Sequence, residues 1–127
     1  MDLGIKNKIA LVCASSQGLG LACATALARE GANVVINGRN QERLDKAIAD
    51  IKAKTGADIE SILADITTEA GRQTIFDACP KPDILINNNA GPAPGQLSDW
   101  NHDAWINALE SNMLAPILLI RGYVPGT

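Results

Sequence analysis

From Ile9 to Glu30 the chain reads Ile-Ala-Leu-Val-Cys-Ala-Ser-Ser-Gln-Gly-Leu-Gly-Leu-Ala-Cys-Ala-Thr-Ala-Leu-Ala-Arg-Glu. An apolar run of the kind found in strands buried on both faces meets small polar residues and two glycines. An Ala/Leu-rich helix follows at once. Gly31 comes next, suited to a left-handed helix end. The first-turn N–H groups of such a helix lack intrahelical acceptors, and the helix dipole adds positive potential there. The turn is therefore a ready anion site. Without side chains at Gly18 and Gly20, a pyrophosphate and the neighbouring strand can both come close to the backbone. The same turn also serves packing alone, so the remainder of the chain has to decide.

Further apolar runs alternate with helical patterns, the sign of βαβ units and a parallel sheet. Strands are expected at Ile9–Cys13, Asn33–Asn37, Ile59–Ala64 and Ile84–Ile86. Helices are expected at Gly18–Glu30, from an Asn40 cap to Thr55, from a Thr67/Thr68 cap to Cys79, and from Asp103 to Arg121. Leu44, Ala47, Ile48 and Ile51 form one buried stripe, and Gly56 ends that helix. Right-handed crossovers give the strand order 3-2-1-4, the N-terminal half of a doubly wound α/β sheet. Residues 1–127 are expected to form one partial domain, with no repeat or linker.

A net charge of −3, no basic run and 3% aromatic residues argue against nucleic acid as a partner. No apolar stretch approaches the roughly 20 residues of a membrane span, and Met1-Asp2 opens no signal peptide, so a cytoplasmic location is expected. Cys13, Cys23 and Cys79 read as small buried thiols, and the single histidine, His102, as a solvated loop residue.

Ligands of open α/β sheets collect at the carboxyl ends of the strands, where the order reverses. Gly38-Arg39 follows the second strand, where an NAD site usually has an acidic residue about 20 positions past the glycine turn. A carboxylate would repel a 2′-phosphate, whereas Arg39 could pair with one, which points to NADP(H) over NAD. The bland alternative is a surface arginine beside a helix cap. Asp65, after the third strand, is either an acceptor for an adenine amine or a turn residue before the next helix. Asn87-Asn88-Asn89-Ala90-Gly91 follows the fourth strand and permits close backbone approach at Gly91.

The order of Ala-Ser-Ser-Gln-Gly-Leu-Gly, Asn-Gly-Arg-Asn, Ala-Asp-Ile and Asp-Ile-Leu-Ile-Asn-Asn-Asn-Ala-Gly, ending in Asn112 within a helix, resembles the short-chain dehydrogenase/reductase family. It is similar above all to the 3-oxoacyl-[acyl-carrier-protein] reductase-like members. The resemblance covers the N-terminal half of the family's Rossmann-like domain. It implies that Ala14, Ser15, Ser16, Gln17, Gly18, Leu19 and Gly20 bind the cofactor phosphates and ribose, and that Arg39 selects the 2′-phosphate. Asp65 and Ile66 would hold the adenine, and Asn88, Asn89, Ala90 and Gly91 would lie along the ribose. Asn112 matches the catalytic asparagine, which holds a relay water through its main chain. Pro116 has no N–H to offer the Asn112 carbonyl, so the helix should bend there and leave that carbonyl free. Trp105 and Leu109 on this helix read as packing residues.

Three departures stand out. Cys13-Ala14 replace the family's Thr-Gly, and a Cβ at Ala14 should hinder any left-handed backbone and weaken cofactor binding. The Asn run is one longer than usual: counting back from Gly91 equates Asn89 with the motif's last asparagine, and counting on from Asp83 equates Asn88. The family's Ser and Tyr-x-x-x-Lys have no counterpart, because Tyr123 is the only tyrosine and Thr127 stands four residues on. The expectation is a truncated NADP(H)-dependent oxidoreductase whose complete form acts on a small carbonyl or alcohol, itself inactive without a proton donor. The alternative is a non-catalytic nucleotide-binding or interaction module. Ile84–Ile86 as an open edge, with Ile117, Leu118 and Ile120 short of neighbours, predicts homo-oligomerisation.

Overall fold

The computed structural model describes residues 2–89 and 94–124. Strands β1 (Ile9–Val12), β2 (Asn33–Gly38), β3 (Glu60–Leu63) and β4 (Ile84–Ile86) form one parallel sheet in the order β3-β2-β1-β4. Between them run α1 (Gly18–Arg29), α2 (Gln41–Thr55) and α3 (Glu69–Ala78). The chain then makes a 3-10 turn at Leu97–Asp99 and continues through α4 (His102–Leu109), a π-helical segment (Glu110–Leu114) and α5 (Ala115–Tyr123).

The alternation of side chains along β1 divides two cores. Ala10 and Val12 face α1 and α2, packing with Ala24, Ala28, Ile36, Leu44 and Ile51. Leu11 and Cys13 face the other way, toward Ile75, Cys79, Ala115 and Leu119. With helices on both faces the central strands carry no solvent-facing side, which is why they read as continuous apolar runs. Local chemistry sets the ends of α2. Asn40 accepts from the Arg43 N–H at 3.0 Å, and Gly56 closes the helix at φ +77, donating to the Lys52 carbonyl at 2.8 Å. Thr68 caps α3 in the same way, accepting from the Gly71 N–H at 3.0 Å.

The last helix is disturbed near Pro116, where a bend was expected, but the disturbance takes the form of a π segment. Pro116 lacks an N–H, and just before it the Ala115 N–H donates to the Glu110 carbonyl, five residues back. The irregularity is thus absorbed as a π segment flanked by two α-helices. The helix also starts at His102, which is exposed on the first turn of α4 and not in a loop. Trp105 and Leu109 are 45% and 44% exposed, so each is packed over only part of its surface. The Trp105 ring meets that of Trp100 edge-to-face, with centroids 5.6 Å apart. Cys13 and Cys79 are buried as expected, but Cys23 is exposed on the outer face of α1. Tyr123 anchors α5, its hydroxyl donating to the Cys79 carbonyl at 2.8 Å and its ring edge-on to Phe76.

Candidate functional site: a cleft at the carboxyl ends of the strands

A cleft of about 560 Å³ opens where the sheet order reverses, between the loop after β1 and the segments after β2, β3 and β4. Ala14, Ser16, Gln17, Gly18 and Leu19 form one wall. Gly38, Arg39, Asn40 and Arg43 form the outer end, and Ala64, Asp65, Ile66, Asn88 and Asn89 the other wall. Asp65 is the sole carboxylate among these residues, against two guanidinium groups.

The first turn of α1 faces this cleft. Gln17 is its N-cap residue, yet no side chain caps it, whereas Asn40, Thr68 and Asn101 cap α2, α3 and α4. Gly18 sits at φ +60, and a Cβ there would meet nothing within 4 Å, so the amides of this turn are open to a ligand. Gly20 plays a different part. A Cβ would strike the Ala14 carbonyl oxygen and come within 2.8 Å of both Asn88 Nδ2 and Ser15 Cα. It is buried and lets the helix lie against the turn, outside the cleft lining.

One more expected contact is corrected, that of the Ser15 side chain. Ser15 is fully buried beneath the turn, its hydroxyl donating to the Val12 carbonyl at 2.7 Å and accepting from the Asn37 N–H at 3.0 Å, so its side chain is structural. Asn112 does not line the cleft; its Nδ2 donates to the Ala108 carbonyl at 3.0 Å. The cleft still connects to it, because Asn89 Nδ2 donates to the carbonyl of Ser111, the preceding residue, at 3.0 Å. Both registers of the Asn run keep a purpose. Asn88 Nδ2 reaches the Ala14 carbonyl at 3.1 Å, while Asn89 ties the π segment. Ala90 and Gly91 lie outside the described residues.

Ala14 corrects the expectation that its Cβ would hinder a left-handed backbone. It adopts φ +47 despite its Cβ. The Asn37 side chain accepts from its N–H at 3.2 Å, and Asn88 donates to its carbonyl, so both flanking peptides are held. Asn37, a polar residue inside the β2 apolar run, is 2% exposed and was legible only as strand. A buried polar side chain must be matched by partners, and that is the signal it carried.

Asp65 is a turn residue and a cleft residue at once. Partial burial would raise its pKa, but the Thr67 hydroxyl at 2.6 Å and N–H at 2.9 Å, with Arg39 and Arg72 nearby, hold the carboxyl below its ordinary value. Both hydrogen bonds fall on Oδ1. Ile66 is buried on the α3 side, its carbonyl accepting from Arg72 at 3.0 Å. Arg43, like Asn37, is a cleft residue that sequence reading missed. It stands four residues after Arg39, one turn into α2, a spacing that a helix beginning at Gln41 brings to the same end of the cleft.

The sequence profile of the family described as short chain dehydrogenase matches residues 8–126. The chain belongs to the short-chain dehydrogenase/reductase family. It is 37% identical over 125 residues to the oxidoreductase YvaG of Bacillus subtilis, covering 98% of this chain and 47% of that protein. To the rat dehydrogenase/reductase SDR family member 4 it is 34% identical, covering 95% of this chain and 45% of the relative. The L-sorbose reductase of Gluconobacter frateurii, solved with NADPH and L-sorbose, superposes with a TM-score of 0.88 at 32% identity, covering 99% of this chain and 49% of that one. This short-chain dehydrogenase/reductase chain therefore spans about half the length of the relatives it matches. Among its described residues, no helix is long and apolar enough to cross a membrane, and no group of three or more His, Cys, Asp and Glu side chains could hold a metal ion.

Proposed function

We propose that the cleft binds NADP(H), and that the complete protein moves hydride between that cofactor and a small carbonyl or alcohol carbon. The observation that carries this reading is the uncapped N-terminus of α1 opening onto the same cleft as Arg39 and Arg43. A diphosphate supplies the missing acceptors of the α1 first turn, with Ser16, Gln17, Gly18 and Leu19 around it. The 2′-phosphate pairs with Arg39 and Arg43, each a planar donor set suited to phosphate oxygens. Gly38 leaves that end free of the carboxylate an NAD site would carry. Asp65 and Ile66 border the adenine, and Asn88 and Asn89 run along the second ribose. The NADPH in the sorbose reductase structure supports the same choice of cofactor.

The bound nicotinamide supplies or accepts hydride. The chain's own contribution is to bind and orient it, and Asn112, through its carbonyl before Pro116, to hold a water of the proton path. The substrate is a small carbonyl compound, of which a 3-oxoacyl thioester is one. A cytoplasmic setting fits such a reductase.

The 127-residue chain binds nucleotide without turning it over. Its only tyrosine donates its hydroxyl to the Cys79 carbonyl, and burial, with Cys79 and Cys13 beside it, pushes the phenol well above its ordinary pKa. Tyr123 is therefore no acid for an alkoxide in the cleft. This same observation favours the second reading, a nucleotide-binding module with no reaction of its own. NADPH fluorescence titration, together with absorbance loss at 340 nm in the presence of ketones, tests both. Saturable binding without consumption is the expected result, consumption overturns the inactivity, and no binding overturns the cofactor assignment.

Trp105, Leu109, Met113, Ile117 and Ile120 on α4–α5 are 44–50% exposed. Together with the β4 edge they form the surface for self-association. Light scattering across a concentration series reads it, a monomer at every concentration counting against it.

A further inference from the structure

Ala14 carries an L side chain at φ +47, a backbone region that costs such a residue roughly five- to thirtyfold in population. Its neighbours therefore determine whether the turn keeps this shape. On the N–H side the acceptor is Asn37 Oδ1 at 3.2 Å. On the carbonyl side the donor is Asn88 Nδ2 at 3.1 Å. Asn37 has no freedom to turn away. Its Nδ2 donates to the Ile62 and Ala64 carbonyls, each at 3.1 Å, and its main chain exchanges hydrogen bonds with Ser15, at 3.0 Å to Oγ and 2.8 Å from N.

The side chain of Asn37 is thus a strut from the ends of β2 and β3 to the glycine turn. Only an amide fits, since the site needs an acceptor toward Ala14 and a two-hydrogen donor toward β3. A carboxylate would set oxygen against two carbonyls. The Ala14 carbonyl is also the atom against which Gly20 is packed, so the Ala14 backbone fixes where the first turn of α1 begins.

We propose that Asn37 is a positioning residue for the cofactor turn: its amide, with that of Asn88, holds Ala14 left-handed and so aims the α1 N-terminus at the cleft. The affinity consequence rests on the NADP(H) reading above, while the clamp itself does not. A turn that is competent only in this conformation binds with an affinity reduced by the fraction of time it is elsewhere.

The test is a double-mutant cycle of Asn37→Ala and Ala14→Gly, read by NADPH titration and by thermal midpoint. Glycine adopts positive φ without penalty, so it should relieve the need for the clamp. N37A is expected to weaken NADPH binding about tenfold in the parent chain but only about twofold in the A14G background. Equal losses in both backgrounds would overturn the proposal and leave Asn37 a merely structural residue. N37A that folds only when paired with A14G is the same rescue in stronger form. Failure of both to fold moves the cycle to Asn88→Ala, with the same expectation and the same refutation. If the parent chain binds no NADPH, the cofactor assignment fails, and the thermal midpoints still decide the clamp. N37A must then lower the midpoint more in the parent chain than in the A14G background, and equal lowering refutes it.

Discussion

Gly20→Ala sets two effects of opposite sign against each other. Gly20 lies in the first turn of α1, where alanine gains up to about 1 kcal/mol of helix propensity over glycine. Against this, the new methyl would come within 2.8 Å of Asn88 Nδ2 and Ser15 Cα and nearer still to the Ala14 oxygen. Two of these three are backbone atoms, which cannot swing aside as a flexible side chain could. Overpacking of this kind costs about 1–3 kcal/mol. Pushing Asn88 away also breaks its 3.1 Å bond to Ala14, worth about 1 kcal/mol more. Taking the middle of each range, the variant should be about 2 kcal/mol less stable, a fall in midpoint of about 6–10 °C for a domain of this size. Circular dichroism melting of parent and variant reads the difference directly. NADPH affinity should fall in parallel, because the helix can no longer seat against the turn. A variant as stable as the parent would mean that propensity outweighs contact, and that the close approach of α1 to the turn is not required.

Gly38→Asp puts a Cβ 3.2 Å from Leu44 Cδ2 and 3.4 Å from Ser16 Oγ, and its carboxylate should shift preference from NADPH toward NADH by about tenfold or more, read as a ratio of dissociation constants. Asp65 has a folded pKa below its unfolded value of about 3.9, so its contribution to stability is present above that pH and is lost as pH falls through the folded pKa. Urea unfolding should therefore find Asp65→Asn destabilising near neutrality, with the gap to the parent closing in acid. Of the three thiols, exposed Cys23 should react quickly with a disulfide reagent at about pH 8, while Cys79 and Cys13 stay silent until unfolding. Burial pushes the Cys13 thiol up to about 12, with Cys79 adding to the shift, so almost none of it is thiolate there. More than one fast-reacting thiol would contradict the packing of the sheet.

The sheet was legible because buried parallel strands write themselves as uninterrupted apolar runs, and because Asn40, Gly56 and Thr68 mark helix ends by chemistry local to each. The cleft was legible because the topology carries every strand's carboxyl end to one side, which brings Gln17, Arg39, Asp65 and Asn88 together whatever their sequence separation. What escaped reading depends on tertiary partners. Ala14 looked too large for a left-handed turn, and only the two asparagine amides meeting it from β2 and the segment after β4 make that shape tenable. Ser15 looked like a phosphate ligand but its hydroxyl turns inward to Val12. Arg43 carries no motif of its own, and only the start of α2 at Gln41 brings it to the cleft. Pro116 signalled a disturbed helix, but not that an extra residue would be taken up as a π segment before it.

The measurement that bears most directly on the account is amide chemical-shift mapping of the isotope-labelled chain titrated with NADPH and, separately, with NADH. The account predicts saturable shifts at Gln17–Gly20 and Arg39–Arg43 with NADPH, and a weaker response at Arg39–Arg43 with NADH, which lacks the 2′-phosphate. Shifts confined to another part of the surface, or the same response at Arg39–Arg43 to both nucleotides, would contradict it.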